Sequence, residues 1–335
     1  MKKLLLIATG GTIACSEGTK GLAPSMSASD ILSYASDSID GCSIDAFQLF
    51  NIDSTNMQPE YWLDIMKMIK DRYEEYDGFI VTHGTDTMAY TSAALFYLIQ
   101  NSVKPIVITG AQKPISYEKT DARKNLTDAI CFAREGIGGV YLVFDGKVIS
   151  GSRAEKLRTE SYNAFESINY PFIAKIIENK VVYNKKAQIQ KKSQKTLFSN
   201  SLNSNVFLMK LVPGSNPHLL NKIANDYDGF IIESYGSGGI PFEGNRNFLE
   251  AIESLTSMGK SVVITTQVTL EGSNLTIYEV GKRALESAVI PAYDMPIEAV
   301  VTKLMWTLGQ SRNQEKIRQL FLTPIENDIV VLGSE

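Results

Sequence analysis

Four stretches of the chain, Lys3 to Ala8, Gly78 to Thr82, Pro105 to Thr109 and Gly139 to Phe144, are apolar residue after residue instead of in alternation. A strand buried on one face alternates; continuous runs of this length belong to parallel strands covered on both faces. Helical spacing fills the gap between two of them. In Pro59 to Glu75 the apolar residues Trp62, Ile65, Met66, Ile69 and Tyr73 recur on one side, Pro59 suits a first helical turn, and Asp77-Gly78 closes the unit. That rhythm of strand, helix and strand commits the chain to an α/β architecture.

A faint internal repeat extends the reading to two similar halves. Tyr76-Asp77-Gly78-Phe79-Ile80 returns as Tyr227-Asp228-Gly229-Phe230-Ile231, and Lys104 to Thr109 is echoed in the same order by Lys260 to Thr265. At 335 residues the chain exceeds one ordinary domain. Between the halves, Asn184 to Ser204 is polar and rich in lysine and serine, with Lys185, Lys186, Lys191, Lys192 and Lys195, and reads as a solvated linker. The expected organisation is therefore an N-terminal catalytic α/β domain over 1–184, a linker over 185–204 and a C-terminal α/β domain over 205–335. Each domain is expected to hold a mainly parallel sheet flanked by helices, Rossmann-like or flavodoxin-like, the first domain being the larger.

Composition narrows the function classes. With 44% apolar and 21% charged residues the chain is globular, and a formal net charge of −4 argues against a dedicated nucleic-acid binder. Cys15, Cys42 and Cys131 are odd in number and scattered, so they form neither a disulfide framework nor a C-x-x-C site. Two histidines, His83 and His218, leave a zinc site few ligands, and no metal is expected. Met1-Lys2-Lys3 followed by Leu4 to Ala8 imitates the start of a secretory signal, but the apolar run is shorter than the roughly 7 residues such a signal needs. No stretch approaches the roughly 18 apolar residues of a membrane span. A cytoplasmic protein that acts on a small molecule and does not engage membranes is the expectation.

The chemistry concentrates at two turns. Thr9-Gly10-Gly11-Thr12-Ile13 and His83-Gly84-Thr85-Asp86-Thr87-Met88 each follow an apolar run, and neither has the spacing of a dinucleotide or P-loop cradle. They place threonine hydroxyls beside exposed amides at strand ends, where α/β enzymes keep their sites. The segment after Thr12, Ser16 to Ser29, has the composition of a mobile lid. A threonine nucleophile needs a base, and nothing beside Thr12 supplies a good one. Asp86 either caps the helix that follows or receives a substrate ammonium group. Ile52-Asp53-Ser54-Thr55-Asn56 reads as a helix start or as a holder of a carboxylate. Lys156, in Ser152-Arg153-Ala154-Glu155-Lys156, is either a surface charge or, if buried beside Thr85 and Asp86, the base of a triad.

Taken together, Thr-Gly-Gly-Thr-Ile at 9–13, Asp-Ser-Thr at 53–55, His-Gly-Thr-Asp-Thr-Met at 83–88, Thr-Gly-Ala at 109–111 and Arg-Ala-Glu-Lys at 153–156 resemble the bacterial L-asparaginases of the cytoplasmic type, in the family's order. The resemblance implies a cofactor-free amidohydrolase that splits L-asparagine into L-aspartate and ammonia, with glutamine as a minor substrate. By motif, Thr12 matches the primary nucleophile. Thr85, Lys156 and Asp86 match the second hydroxyl, its base and the ammonium-binding carboxylate. Gly11 and Gly84 match the amide-bearing turns, Asp53 and Ser54 match substrate holders, and Ala111 matches a residue whose backbone faces the side-chain amide. The family mechanism most often drawn passes through an acyl-enzyme on Thr12, with the oxyanion held by amides of the Gly11-Thr12 and Gly84-Thr85 turns.

Two positions depart from the pattern. Leu22 stands near where many relatives have a lid tyrosine, and Tyr278 matches a tyrosine that reaches a neighbouring subunit's site in cytoplasmic relatives. The resemblance thus implies a homodimer or homotetramer with sites near the subunit interface. Glu233 and Glu155 replace an arginine and a threonine of an effector pocket, so no cooperativity is expected there. The nearest alternative is the glutamine- or asparagine-hydrolysing subunit of a tRNA-dependent amidotransferase. Such subunits carry an additional N-terminal domain, whereas here the first strand follows Met1 almost at once. A nucleotide-binding module is the other alternative, disfavoured by the missing fingerprint.

Overall fold

The first strand, Lys2–Gly10, is buried at every residue from Leu4 onward, as two-sided coverage requires. In this computed structural model, which describes residues 1–18, 21–35, 41–189 and 195–331, it sits inside an eight-stranded sheet. The order across that sheet is Lys180–Tyr183, Ala174–Ile177, Lys147–Ser150, Gly139–Phe144, Pro105–Thr109, Gly78–Thr82, Lys2–Gly10 and Cys42–Ile52. From Gly139–Phe144 to Cys42–Ile52 the pairing is parallel; the hairpin strands beyond Gly139–Phe144 are antiparallel. The chain leaves Lys2–Gly10 for Cys42–Ile52 on one side, then crosses to Gly78–Thr82 on the other. This reversal creates a topological switch point at the C-terminal ends of Lys2–Gly10 and Gly78–Thr82, where open α/β sheets bind ligands.

The amphipathic helix expected over 59–75 runs over Pro59–Asp71, with Trp62, Ile65, Met66 and Ile69 buried. It stops early because the residues after it are held elsewhere. The Tyr73 hydroxyl accepts the amides of Val103 and Lys104, while Lys104 Nζ donates to the carbonyls of Tyr73 and Tyr76. Helix Met88–Leu98 is buried nearly all round. Ala122–Glu135 packs Leu126, Ala129, Ile130, Phe132 and Ala133 into a core shared with Leu4, Leu6, Ile80, Val107 and Val143.

Two compact units are present, Met1–Asn200 and Ser201–Glu335. Within the stretch expected as a linker, Leu197–Phe198 pairs antiparallel with Ile99–Gln100. Lys191 and Lys192 lie outside the described residues. The second unit holds a four-stranded parallel sheet in the order Val206–Lys210, Gly229–Ser234, Ser261–Thr266 and Ile290–Pro291. Its core includes Phe230, Ile232, Phe248, Ile252, Leu255 and Ile264.

The sequence repeat has a structural counterpart. Phe79 pairs with Ile106 in the first unit and Phe230 with Val262 in the second, each in parallel register. Lys104 Nζ donates to Tyr76 O at 2.7 Å, and Lys260 Nζ donates to Tyr227 O at 2.8 Å. One strand–helix–strand design is thus used twice, with the same lysine closing the same turn.

Candidate active site

Both glycine–threonine turns emerge at the switch point, and steric demand explains their glycines. Gly11 has φ +76°, and a Cβ built on it would land on the backbone of Gly84. A Cβ on Gly84 would in turn strike Ser54 Oγ and Cβ and lie 3.1 Å from Gly11 Cα. Three segments distant in sequence, carrying Thr12, Ser54 and Thr85, are thereby in direct contact. Thr12 opens the short 3₁₀ turn Thr12–Ala14 and is half-buried, while Ser54 and Thr85 are buried. Thr87 Oγ1 donates to Ser54 O at 2.8 Å, tying the second and third segments together again.

Lys156 reaches this junction from the short strand Ala154–Lys156, which pairs with Phe165–Ser167 behind the fully buried Arg153. Its Nζ lies 2.8 Å from Thr85 Oγ1 and 2.7 Å from Asp86 Oδ1. The lysine side chain is 16% exposed and the aspartate 57%. Of the two readings of Asp86, helix capping is not what the structure has: Met88–Leu98 begins behind Thr87, and no side chain caps it. The carboxylate faces the lysine and open space instead. Asp53 is otherwise engaged, its Oδ1 accepting Thr55 N at 2.9 Å and Thr55 Oγ1 at 3.0 Å, which makes it the cap of the Ser54–Asn56 turn.

Behind the second turn His83 is fully buried, and desolvation lowers its pKa to about 4. Trp62 Nε1 donates to Thr91 Oγ1, which donates to His83 Nε2 at 2.9 Å, so the proton sits on Nδ1 and is given to Gly84 O at 2.7 Å. A neutral imidazole therefore supports the turn from inside.

The amides expected to hold an oxyanion are not all available. Gly11 N donates to Ile52 O at 2.9 Å, so the first turn offers the Thr12 amide instead. Ala111 is fully buried at the end of Pro105–Thr109, on a turn whose next residue the motif reading missed. Gln112 Oε1 accepts the Thr85 hydroxyl at 3.1 Å. Beneath that turn Asp121 accepts the amides of Gln112 and Lys113, and Asn125 donates to Gly110 O. The spacing Gly110 to Asn125 gave no sequence signal, because a clamp of side chain on backbone has no periodicity.

The segment read as a lid begins as a hairpin, Cys15–Gly18 with Gly21–Pro24, whose tip at 19–20 lies outside the described residues. Leu22 is 49% exposed on it, and Glu17 accepts the Tyr117 hydroxyl at 2.8 Å. Tyr278 belongs to the second unit, at the start of helix Glu279–Glu286 and 61% exposed. Among the described residues no group of three or more His, Cys, Asp or Glu could hold a metal ion, and no helix is long and apolar enough to cross a membrane.

Comparison with known proteins adds the lineage. The family model for the asparaginase N-terminal domain matches residues 3–189, and that for the glutaminase/asparaginase C-terminal domain matches 205–321. An L-asparaginase of Thermococcus kodakarensis is 44% identical over 328 residues, covering 98% of this chain and 99% of that protein. The solved structure of the thermostable L-asparaginase from that organism superposes with TM-score 0.92 over 98% of this chain and 99% of its own. A probable cytoplasmic L-asparaginase from Campylobacter jejuni superposes with TM-score 0.82 at 25% identity, over 97% of this chain and 100% of its own. A component of the glutamyl-tRNA(Gln) amidotransferase of Methanosphaera stadtmanae is 34% identical over 98% of this chain and 77% of its own length.

Proposed function

The chain belongs to the asparaginase family, and from that premise we propose that it hydrolyses L-asparagine to L-aspartate and ammonia, with Thr12, Thr85, Asp86 and Lys156 as the reacting group. One observation carries the reading: Lys156 Nζ bridges Thr85 Oγ1 and Asp86 Oδ1 on a turn in backbone contact with Gly11. A lysine placed so can take the proton of a hydroxyl, and hydroxyl activation by an adjacent base is what threonine chemistry needs.

In the proposed reaction Thr12 Oγ1 attacks the side-chain amide carbon, its proton leaving through Thr85 and Lys156. The tetrahedral oxyanion is met by preorganised amides of the two turns. The C–N bond breaks as the nitrogen takes the relayed proton back from Lys156 and leaves as ammonia; water then splits the resulting ester, its proton passing to Thr12, to give aspartate and free Thr12. Asp86, whose side chain is 57% exposed, holds the α-ammonium, while Ser54 and its neighbours hold the α-carboxylate. Asp53 shapes that segment and Ala111 borders the side-chain amide. No cofactor enters the scheme.

The cytoplasmic, type I character read from the motifs is kept as part of this proposal, supported by the Campylobacter relative. So is assembly into a homodimer or homotetramer in which Tyr278 of one copy completes a neighbour's site, for which its exposure and that of Ile277, at 61% and 54%, make room. The amidotransferase alternative has less similar relatives, 34% against 44% identical. Ammonia release from L-asparagine, L-glutamine and D-asparagine separates the readings. Fast release from L-asparagine, slower from L-glutamine and none from D-asparagine is expected; release from glutamine alone, dependent on charged tRNA, would overturn the assignment.

A further inference from the structure

Gln112 is half-buried on the turn that follows Pro105–Thr109, and its amide is held at both ends. Nε2 donates to Thr159 O at 3.1 Å and to Ser161 O at 3.3 Å. Backbone carbonyls only accept, so the nitrogen is fixed on that side and Oε1 is turned to Thr85 Oγ1 at 3.1 Å. The acceptor in this contact is Gln112 and the donor is Thr85. The Thr85 oxygen meanwhile receives a hydrogen bond from Lys156 Nζ at 2.8 Å while that group is an ammonium.

The turn is built to hold this aim. The two Asp121 oxygens accept Gln112 N at 2.9 Å and Lys113 N at 3.1 Å, and Asn125 Nδ2 donates to Asp121 Oδ2 at 3.2 Å and to Gly110 O at 2.9 Å. Asn125 Oδ1 accepts Asp145 N at 3.0 Å, which pins the clamp to the neighbouring strand end. Asp121 is 6% exposed. Of the charged groups around Gln112, Lys156 meets the Thr85 hydroxyl and pairs with Asp86, Asp121 faces the turn's backbone, and Lys113 Nζ lies over the Tyr162 ring at 5.6 Å.

We propose that Gln112 is a positioning residue for Thr85: it parks the hydroxyl proton on its own carbonyl in the resting site and yields it to Lys156 during turnover. The inference rests on the reading of Thr85 and Lys156 given above. A single rotation about the Thr85 Cβ–Oγ bond swings the O–H from Gln112 Oε1 toward Lys156 Nζ once that group is a neutral amine; transfer then breaks the Thr85 O–H bond and forms an N–H bond on Lys156, while Thr85 takes up the proton of Thr12. Without that acceptor the hydroxyl samples orientations that serve neither partner.

The test measures kcat and KM for L-asparagine from neutral to alkaline pH in the wild type, Gln112→Met, Gln112→Glu and Lys156→Met. Loss of one well-placed hydrogen bond predicts a roughly tenfold lower kcat in Gln112→Met at every pH, with KM changed by no more than about twofold. Gln112→Glu keeps an acceptor toward Thr85 but gives up the Nε2 donor to Thr159 O and Ser161 O, and its added charge holds the Lys156 proton, so its kcat falls at neutral pH and recovers only in part as the pH rises. Wild-type kcat in Gln112→Met, a change confined to KM, or parallel pH profiles for the two Gln112 variants overturns the inference. Full activity in Lys156→Met overturns the underlying functional reading as well, which distinguishes the two failures.

Discussion

Two strand ends of common design part company one residue beyond the sheet. Gly78–Thr82 and Gly229–Ser234 both follow Tyr-Asp, and in both a lysine closes the turn onto the tyrosine carbonyl. At the second, Ser234 Oγ donates to Thr265 O and Thr266 Oγ1 to Gly236 O, both at 2.5 Å, while Gln267 Nε2 donates to Leu211 O and Glu233 O. Those polar groups tie their own strand ends together. At the first, Thr85 meets the side chains of Gln112 and Lys156. A hydroxyl bonded to a backbone carbonyl is fixed as a donor; one between an amide and an amine can pass its proton on. The fold supplies the position, and the partner decides whether chemistry follows.

The largest expected effect separates the two ends outright. Thr12→Val, Thr85→Val and Lys156→Met should each lower the rate of ammonia release by about 10² to 10⁴ while remaining folded by circular dichroism. Ser234→Ala should leave it unchanged. Comparable losses at both ends would erase the distinction.

Next in size is a stability effect of the first end, which has a buried histidine behind it. His83 has a folded pKa of about 4, below its ordinary 6.5, so the unfolded chain takes up this proton first as pH falls. Its contribution is complete above about pH 6.5 and is lost as pH drops toward 4, at about 1.4 kcal/mol per unit and roughly 3 kcal/mol in all. Urea midpoints of the wild type should fall over that window, and those of His83→Gln should fall less steeply. Equal slopes would mean that His83 is not the group responsible.

A smaller effect sharpens the other side. Removing the Ser234 hydroxyl should cost about 1 kcal/mol of stability, read as a lower urea midpoint, with kinetics untouched. Smallest of all is an expected absence of effect: with Glu233 and Glu155 standing in for the arginine and threonine that the family resemblance assigns to an effector pocket, asparagine saturation should be hyperbolic. A sigmoidal curve would contradict that.

Much of this was legible in the residues. Continuous apolar runs located Gly78–Thr82, Pro105–Thr109 and Gly139–Phe144 to the residue, because burial on both faces leaves no polar position to blur the ends. The contact between the two glycine–threonine turns was legible because glycine beside threonine has few other reasons to recur. Gln112 was not, since its partners are 27, 47 and 49 residues away and a glutamine in a turn resembles any solvated residue. Nor was the capture of Gly11 N by Ile52, which depends on the parallel register of Lys2–Gly10 with Cys42–Ile52 and its shift between Ala8 and Gly10. The antiparallel edge formed by Ala174–Ile177 and Lys180–Tyr183 escaped as well, its short strands alternating too briefly to stand out.

The most direct test of the account is a crystal structure with L-aspartate bound. The account places its ammonium on Asp86 and its side-chain carboxyl against the hydroxyls of Thr12 and Thr85, with Lys156 still touching Thr85. Aspartate bound away from the switch point, or with its side chain turned from both threonines, would contradict it.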